Sequence, residues 1–373
     1  MNSETAEVVI VGGGIVGVST AYLLGKAGVK SVVVERDSIG SHASGFAYGG
    51  IGGSGVPEPM APIGREGWKL HNEFAKTLPE STGINFDFRY RSSMYLAFNQ
   101  AEVDGLKASL PWRLGEPGAK IRWLSGDEAR KLEPRVSPEA IGALVDELQA
   151  DLEPYRLSLA LTQEAEKLGA TVRHGNVKGL KRQGRKVTAV VLESGEIACD
   201  RVVLAMGPWS AEASEWLGVP IEIRPLKGQI LRLQAPGAPV QCSVGWSGNY
   251  AITKPDGLLW AGTTEEEVGF DENPSSEARD NIMASVIKTM PFMIDARLAQ
   301  HTACLRPLAS DGVLVLGEAP GWEGVYVGTG AGRQGIRLGP GMARVIVDLI
   351  TKGSTDLPIK AFDPGRFATS PIG

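Results

Sequence analysis

The chain has 373 residues, of which 43% are hydrophobic and 22% charged, and a formal net charge of −5. That length suits one large unit or two intertwined ones, and the composition is that of an ordinary soluble globular protein. Nothing in it is basic or aromatic-basic enough to expect nucleic acid, and no apolar run is long enough to predict a transmembrane helix.

Residues 8–11 form an apolar run that predicts a buried strand, and Gly12, Gly14 and Gly17 follow in the spacing G-x-G-x-x-G. An apolar helix is predicted over residues 16–24, ending near Gly25 or Gly28, and a second strand over 32–34 closes on Glu35. Strand, glycine turn, helix, strand and acid within about 30 residues is the dinucleotide fingerprint. Gly12 allows the tight turn, Gly14 admits a pyrophosphate, and Gly17 lets the helix pack on the strand. The helix start offers free N–H groups and the positive end of its dipole, where Ile15 and Val16 stand. Glu35, with Arg36 beside it, is placed to accept from ribose hydroxyls, which disfavours a 2′-phosphate and hence NADP. This stretch alone leaves NAD and FAD both open.

Residues 41–55, SHASGFAYGGIGGSG, are too rich in Gly and Ser for a helix interior or a strand core. They read either as a flexible surface loop or as a second cofactor loop, in which His42, Ser44, Ala47, Tyr48, Gly49 and Gly50 let a flat ring lie against the backbone. Their position directly after the acid-tipped strand favours the second reading.

Residues 63–80 are predicted helical, with Trp68, Leu70, Phe74 and Leu78 on one face. Residues 86–98 read as two strands meeting near Ser92. Short helices are expected over 101–110 and 125–132, the latter with a capping box from Ser125 to Glu128. An amphipathic helix over 155–168 leads into a strand at 171–173, and a hairpin is expected around Ser194 and Gly195. Residues 200–205 form a strand closed by Met206, Gly207, Pro208 and Trp209. The stretch 221–233 is strand-like but expected to break at 225–229. Paired strands over 250–253 and 258–263 flank a turn at Pro255–Gly257, and a helix covers 275–290. Strands at 313–316 and 325–327 precede a second glycine-rich turn, Gly328 to Ile336, which opens a helix to about Ile350. Three cysteines, Cys199, Cys242 and Cys304, are odd in number and lack metal spacing, so reduced thiols are expected and no metal site. The start, MNSETAEVVIVGGG, has no basic region or cleavable apolar segment, so no signal peptide is expected and a cytoplasmic location is the default.

With these segments in hand, the chain resembles the flavoprotein amine and D-amino acid oxidase family, nearest glycine oxidase and sarcosine oxidase-like members. The resemblance covers nearly the whole chain. It rests on VVIVGGGIVGVSTAYLL with Glu35, then ASGFAYGGI, DLEPYRLSLAL, VVLAMGPWS and RPLKGQILRL. It continues through YAITKPDGLLWAGTTEEEVGFD, CLRPLASDGVLVLG and GVYVGTGAGRQGIRLGPGMA, in the family's order and spacing.

The resemblance implies an α/β fold: an FAD-binding Rossmann-like domain of glutathione reductase type with a second, β-rich antiparallel substrate domain. The expected division puts residues 1–80, 143–222 and 303–365 in the FAD-binding domain, and 81–142 and 223–302 in the substrate domain. It implies FAD rather than NAD, and oxidation of a small amino acid or N-alkyl amino acid at the carbon next to nitrogen. Hydride would pass to flavin N5 and the imine would be hydrolysed. The electron acceptor is O2 or a carrier, and an oligomer is possible. An amino acid dehydrogenase feeding a quinone or carrier, a 2-hydroxy acid flavoenzyme and a non-catalytic flavin-binding subunit stand as alternatives.

Carried over position by position, Arg306 matches an arginine that grips the substrate carboxylate, Tyr250 a tyrosine that helps hold it, and Arg333 a second active-site arginine. Val177 matches a backbone contact to adenine. Ala205, Gly207 and Trp209 lie on the segment running past the ribityl chain. The turn Gly332, Arg333, Gln334, Gly335 and Ile336 meets the flavin ring. Cys304 stands where sarcosine oxidase-like relatives carry a cysteine bonded to flavin, so FAD is expected non-covalent with a link at Cys304 as the alternative.

The chain departs from the pattern at three places. Thr329 stands where many relatives have histidine, Gly248 stands where a histidine precedes the tyrosine by two residues, and Glu265 follows Thr264 where an apolar residue is expected. Chemically, an arginine suits the clamp because its guanidinium forks onto a carboxylate, as lysine cannot. The competing readings are an Arg306 paired with Asp311, a Tyr250 that is simply core, a solvent-facing Arg333 and a merely buried Cys304. Glu265 favours a basic or amine-bearing substrate, or else is a water-exposed rim residue.

Overall fold

The computed structural model describes residues 4–368 and builds two eight-stranded sheets and one three-stranded sheet. The first three residues of the N-terminal stretch read for a leader lie outside it.

The first sheet begins with the strand Glu4–Val11, whose last four residues are buried. A strand covered on both faces reads as a continuous apolar run rather than an alternating one, and here Val8 and Ile10 face one core while Val9 and Val11 face a second one with the hairpin residues Val177, Val187 and Val190. On one side it pairs in parallel with Ser31–Glu35, which pairs with Thr171–His174. On the other it pairs with Gly195–Leu204, which carries the antiparallel hairpin of Lys186–Leu192 and Val177–Gln183 as well as Val325–Thr329 in parallel. The helices Ile15–Lys26, Ala61–Thr82, Pro154–Lys167 and Gly335–Lys352 pack into one core against this sheet. Phe74 and Leu78 are fully buried there, each contributing roughly 1.5–3 kcal/mol by leaving water.

The second sheet runs Arg297–Ala309, Ile223–Gln234, Leu259–Gly262, Asn249–Thr253, Ser243–Trp246, Ser93–Ala97, Gly142–Asp146 and Ile121–Ser125. It is antiparallel except where Ser243–Trp246 meets Ser93–Ala97. The helix Ser276–Thr289, capped by Ser275, packs in the core of this sheet. The small third sheet, Gly50–Gly52, Gln149–Asp151 and Arg89–Tyr90, lies between these parts in sequence. The capping box of Ser125 and Glu128 forms on the helix Gly126–Leu132.

Three expectations are corrected. Ile223–Gln234 is one continuous strand across Pro225 and Gly228. Over that part it pairs fully only with Arg297–Ala309, and Pro225 faces Pro307 in register, so the missing N–H costs no ladder bond on the other side. The loop over 41–55 does contain regular structure: a four-residue helix, Ala43–Phe46, and the strand Gly50–Gly52. The strand expected at 313–316 is Val315–Glu318, shifted because its register is set by Val325–Thr329.

Candidate active site

One cavity of about 490 Å³ runs from the first glycine turn to the second sheet. Its size is that of a site for a small-molecule ligand or cofactor.

At one end it is made of backbone. Gly12 has φ +108°, and a Cβ there would lie 2.3 Å from the Ala205 carbonyl oxygen. A Cβ on Gly17 would lie 1.9 Å from the Gly12 carbonyl oxygen. Gly17 is therefore the residue that lets helix and strand pack, and it does not itself line the cavity. The first turn of Ile15–Lys26 carries no acidic side chain, so nothing in it competes with an anion for the helix N-terminus. The Ile15 N–H is instead held by Ser44 Oγ at 2.9 Å, tying the two glycine-rich loops together.

Glu35 has a task that spacing did not reveal. Its Oε2 accepts from the Gly13 N–H at 2.6 Å and its Oε1 from the Asp37 N–H at 2.9 Å, bracing the turn. A carboxylate has about four lone-pair sites, so room remains for a ribose hydroxyl. Arg36 lies over the Trp209 ring at 3.9 Å, and the His42 ring meets the same indole edge-on at 4.7 Å. Gly207, at φ +56°, accepts from Thr329 Oγ1 at 3.2 Å and from Ser210 Oγ at 2.7 Å. Thr329 is buried, its hydroxyl satisfied where relatives were expected to carry histidine.

At the other end the cavity is made of side chains. Tyr250 stacks on Tyr48 with ring centroids 4.1 Å apart. Its hydroxyl has no hydrogen-bond partner among the described residues, which sets aside the reading of a satisfied core tyrosine. Burial pushes its pKa up against the opposing charges of Arg306 and then Arg333, so it stays a donor at neutral pH. Arg306 donates from Nη1 to the Thr264 carbonyl at 3.0 Å and from Nη2 to Thr263 Oγ1 at 2.6 Å. Its guanidinium lies where Gly228 would otherwise put a side chain: a Cβ there would sit 1.8 Å from Nη2. Asp311 pairs with Arg366 at 2.8 Å rather than with Arg306. Cys304 is buried, lines the cavity, and its thiol pKa is raised by that burial.

Arg333 stands in the wall at the three-residue turn Gly332–Gln334, just before the helix Gly335–Lys352. It pairs with Glu265 at 3.1 Å and donates to the Gly248 carbonyl at 2.8 Å. Glu265 is thus not a free acid awaiting an amine-bearing substrate; it is the water-exposed rim residue of the second reading, paired with Arg333.

The other expected cofactor contacts, Gly14, Val16, Ala47, Tyr48, Gly49, Gly50, Val177, Gln334, Gly335 and Ile336, also face this cavity. Sequence reasoning missed Arg91 and Arg337, which line it as well. Burial lowers the pKa of both, that of Arg337 to about 10. Arg337 donates to the carbonyls of Gly52 and Ser54. Among the described residues no carboxylate lies within 4.0 Å of the guanidinium of Arg91, Arg306 or Arg337. A cavity with a backbone phosphate cradle and three guanidiniums lacking a carboxylate partner fits a dinucleotide pyrophosphate and a further anion. Among the described residues no cluster of side chains has metal-binding composition and spacing, and no helix is long and apolar enough to cross a membrane.

The family model for FAD dependent oxidoreductases of the DAO type matches residues 7–349. The chain is 29% identical over 350 residues to a glycine oxidase of Pseudomonas aeruginosa, covering 92% of this chain and 94% of that one. It is 27% identical over 413 residues to a hydrogen cyanide synthase subunit of the same species, covering 99% and 98%. The crystal structure of a glycine oxidase from Geobacillus kaustophilus superposes with a TM-score of 0.92 at 26% identity, covering all of both chains.

Proposed function

We propose that this chain, which belongs to the DAO family of FAD dependent oxidoreductases, oxidises a small amino acid or N-alkyl amino acid at the carbon next to nitrogen. The imine formed would then be hydrolysed to an oxo acid and ammonia or an amine. The single observation that carries the substrate class is Arg306: a guanidinium facing a cavity, held by two neutral oxygens, with no carboxylate partner among the described residues. A partly buried cation so placed calls for an anionic ligand.

Bound in the cavity, FAD supplies the two-electron acceptor for amine oxidation. The residues of this chain do the rest. The glycine turn and the start of Ile15–Lys26 hold the pyrophosphate. Glu35 fixes the turn and takes the ribose. Thr263 and the Thr264 carbonyl lock the Arg306 fork, so its remaining N–H groups can meet a substrate carboxylate in a set plane. Tyr250, kept protonated, donates to the same group. With the carboxylate fixed at one end, the substrate carbon and its amine are presented to the ring side of the cavity. The guanidinium charge nearby favours the neutral amine, whose lone pair the reaction needs. The N–H groups opening Gly335–Lys352 are placed to stabilise negative charge on the ring.

The same reading divides the chain into an FAD-holding unit (1–80, 143–222 and 303–365) and a substrate unit (81–142 and 223–302). Sheet membership supports it, except that Gly142–Asp146 and the end of Arg297–Ala309 belong to the second sheet and that Arg89–Tyr90 pairs with Gln149–Asp151 in the third. Turnover against glycine, N-methylglycine, D- and L-amino acids and 2-hydroxy acids, with oxo acid, ammonia and peroxide all measured, tests the proposal. Oxo acid with equimolar ammonia or amine is expected. Turnover of hydroxy acids alone would overturn it. Product without peroxide, restored by an artificial acceptor, would assign a dehydrogenase.

A further inference from the structure

Two departures from the family pattern, Gly248 and Glu265, meet at one side chain. Arg333 Nη1 donates to Glu265 Oε1 at 3.1 Å, and Nη2 donates to the Gly248 carbonyl at 2.8 Å. Both Nη groups of this cavity-wall guanidinium are therefore anchored on the protein, and its charge is matched by that of Glu265. Arg306 differs: it touches only neutral oxygens. Both charges act on the Tyr250 hydroxyl, so both reach the place where a substrate would lie.

We propose that Glu265 is a specificity determinant: by pairing with Arg333 it leaves Arg306 as the open carboxylate clamp beside Tyr250, and so selects amino acids with one carboxylate over those with a second. This rests on the reading of the site as one for amino acids.

The side chains of Arg333 and Glu265 are 38% and 47% exposed, so the pair itself contributes little to folding. Its effect is on the field in the cavity mouth. With Glu265 in place, the mouth is close to neutral. A second substrate carboxylate would have to displace Glu265 from Arg333 and then sit beside a stranded acid, so the same contact that is weak for stability is repulsive toward the wrong ligand. Gly248 contributes by having no side chain of its own to compete for Arg333, offering only its carbonyl.

The test uses FAD-loaded protein as wild type, Glu265→Gln and the double variant Glu265→Gln/Arg333→Met. Two readouts are taken. One is the affinity for acetate and for malonate, non-oxidisable ligands with one and two carboxylates, by calorimetry. The other is the ratio of kcat/KM for iminodiacetate to that for N-methylglycine. In Glu265→Gln both dicarboxylate-to-monocarboxylate ratios should rise about tenfold, the size of one charged hydrogen bond. Arg333→Met in the same chain should cancel the rise. Ratios that do not move, or a rise that survives the loss of Arg333, would overturn the assignment. If the binding ratio shifts as expected while no amino acid is oxidised, the failure lies in the proposed reaction and not in the role of Glu265.

Discussion

The two ends of the cavity are built on opposite principles. At the glycine turn the contacts are backbone, and the residues that matter are defined by what they lack: Gly12 and Gly17 each sit where a Cβ would strike a carbonyl oxygen. At the Arg306 end the contacts are side chains, among them Arg306 and Tyr250 on the second sheet, which depends on pairing between segments dozens of residues apart. A backbone cradle tolerates little change and serves one ligand shape. A side-chain clamp can be retuned by single substitutions, which is the role proposed for Glu265 at Arg333. The difference separates what holds the cofactor from what chooses the substrate.

The largest break should come at the backbone end. Gly17→Val forces heavy atoms against the Gly12 carbonyl and should cost about 3 kcal/mol or more from overpacking. The purified variant should retain under roughly a tenth of the wild-type flavin per chain, by absorbance after desalting. Gly14→Ala, whose Cβ meets only Ser44 Oγ at 3.2 Å, should keep the fold and weaken flavin binding less.

Next comes the buttress between the ends. His71 is fully buried and donates from Nε2 to the Ile336 carbonyl at 2.8 Å, while its Nδ1 has no partner. Burial lowers its pKa from 6.5 to about 4. The folded state thus binds the proton less readily than the unfolded one. Its contribution is intact above pH 6.5 and is lost as pH falls from there toward 4, by up to about 3 kcal/mol. Thermal melts across that window should show the loss, and His71→Gln should flatten it. An equally steep acid dependence in the variant would assign the effect elsewhere.

At the clamp, Arg306→Lys should raise KM for amino acids about 30-fold, near 2 kcal/mol, with flavin content unchanged. Unchanged kinetics would remove Arg306 from the site. The smallest effect is expected at the tie between the loops. Ser44→Ala removes the acceptor for the Ile15 N–H and should weaken FAD binding by about 1 kcal/mol, read by fluorescence titration of the apoprotein.

The same contrast explains what was legible in the sequence. The turn, its helix and Glu35 are local, so spacing alone revealed them, as it did the capping box at Ser125. The continuity of Ile223–Gln234 through Pro225 was hidden because it depends on which neighbour lacks a ladder bond there. Arg91 and Arg337 belong to no motif, and only tertiary packing brings them to the cavity. Glu265 stayed open between a partner for a substrate amine and an exposed rim residue because its ion-pair partner lies 68 residues away. Resemblance placed Arg306, but its anchoring by Thr263 and its dependence on Gly228 emerge only from the folded geometry.

The central claim is that one end of the cavity holds FAD and the other holds a carboxylate. Anaerobic titration of the flavin absorbance with N-methylglycine and with dimethylamine, its counterpart without the carboxylate, tests it most directly. Bleaching by N-methylglycine at concentrations at least about 30-fold lower is the predicted result. Equal bleaching by both, or by the amine alone, would contradict it.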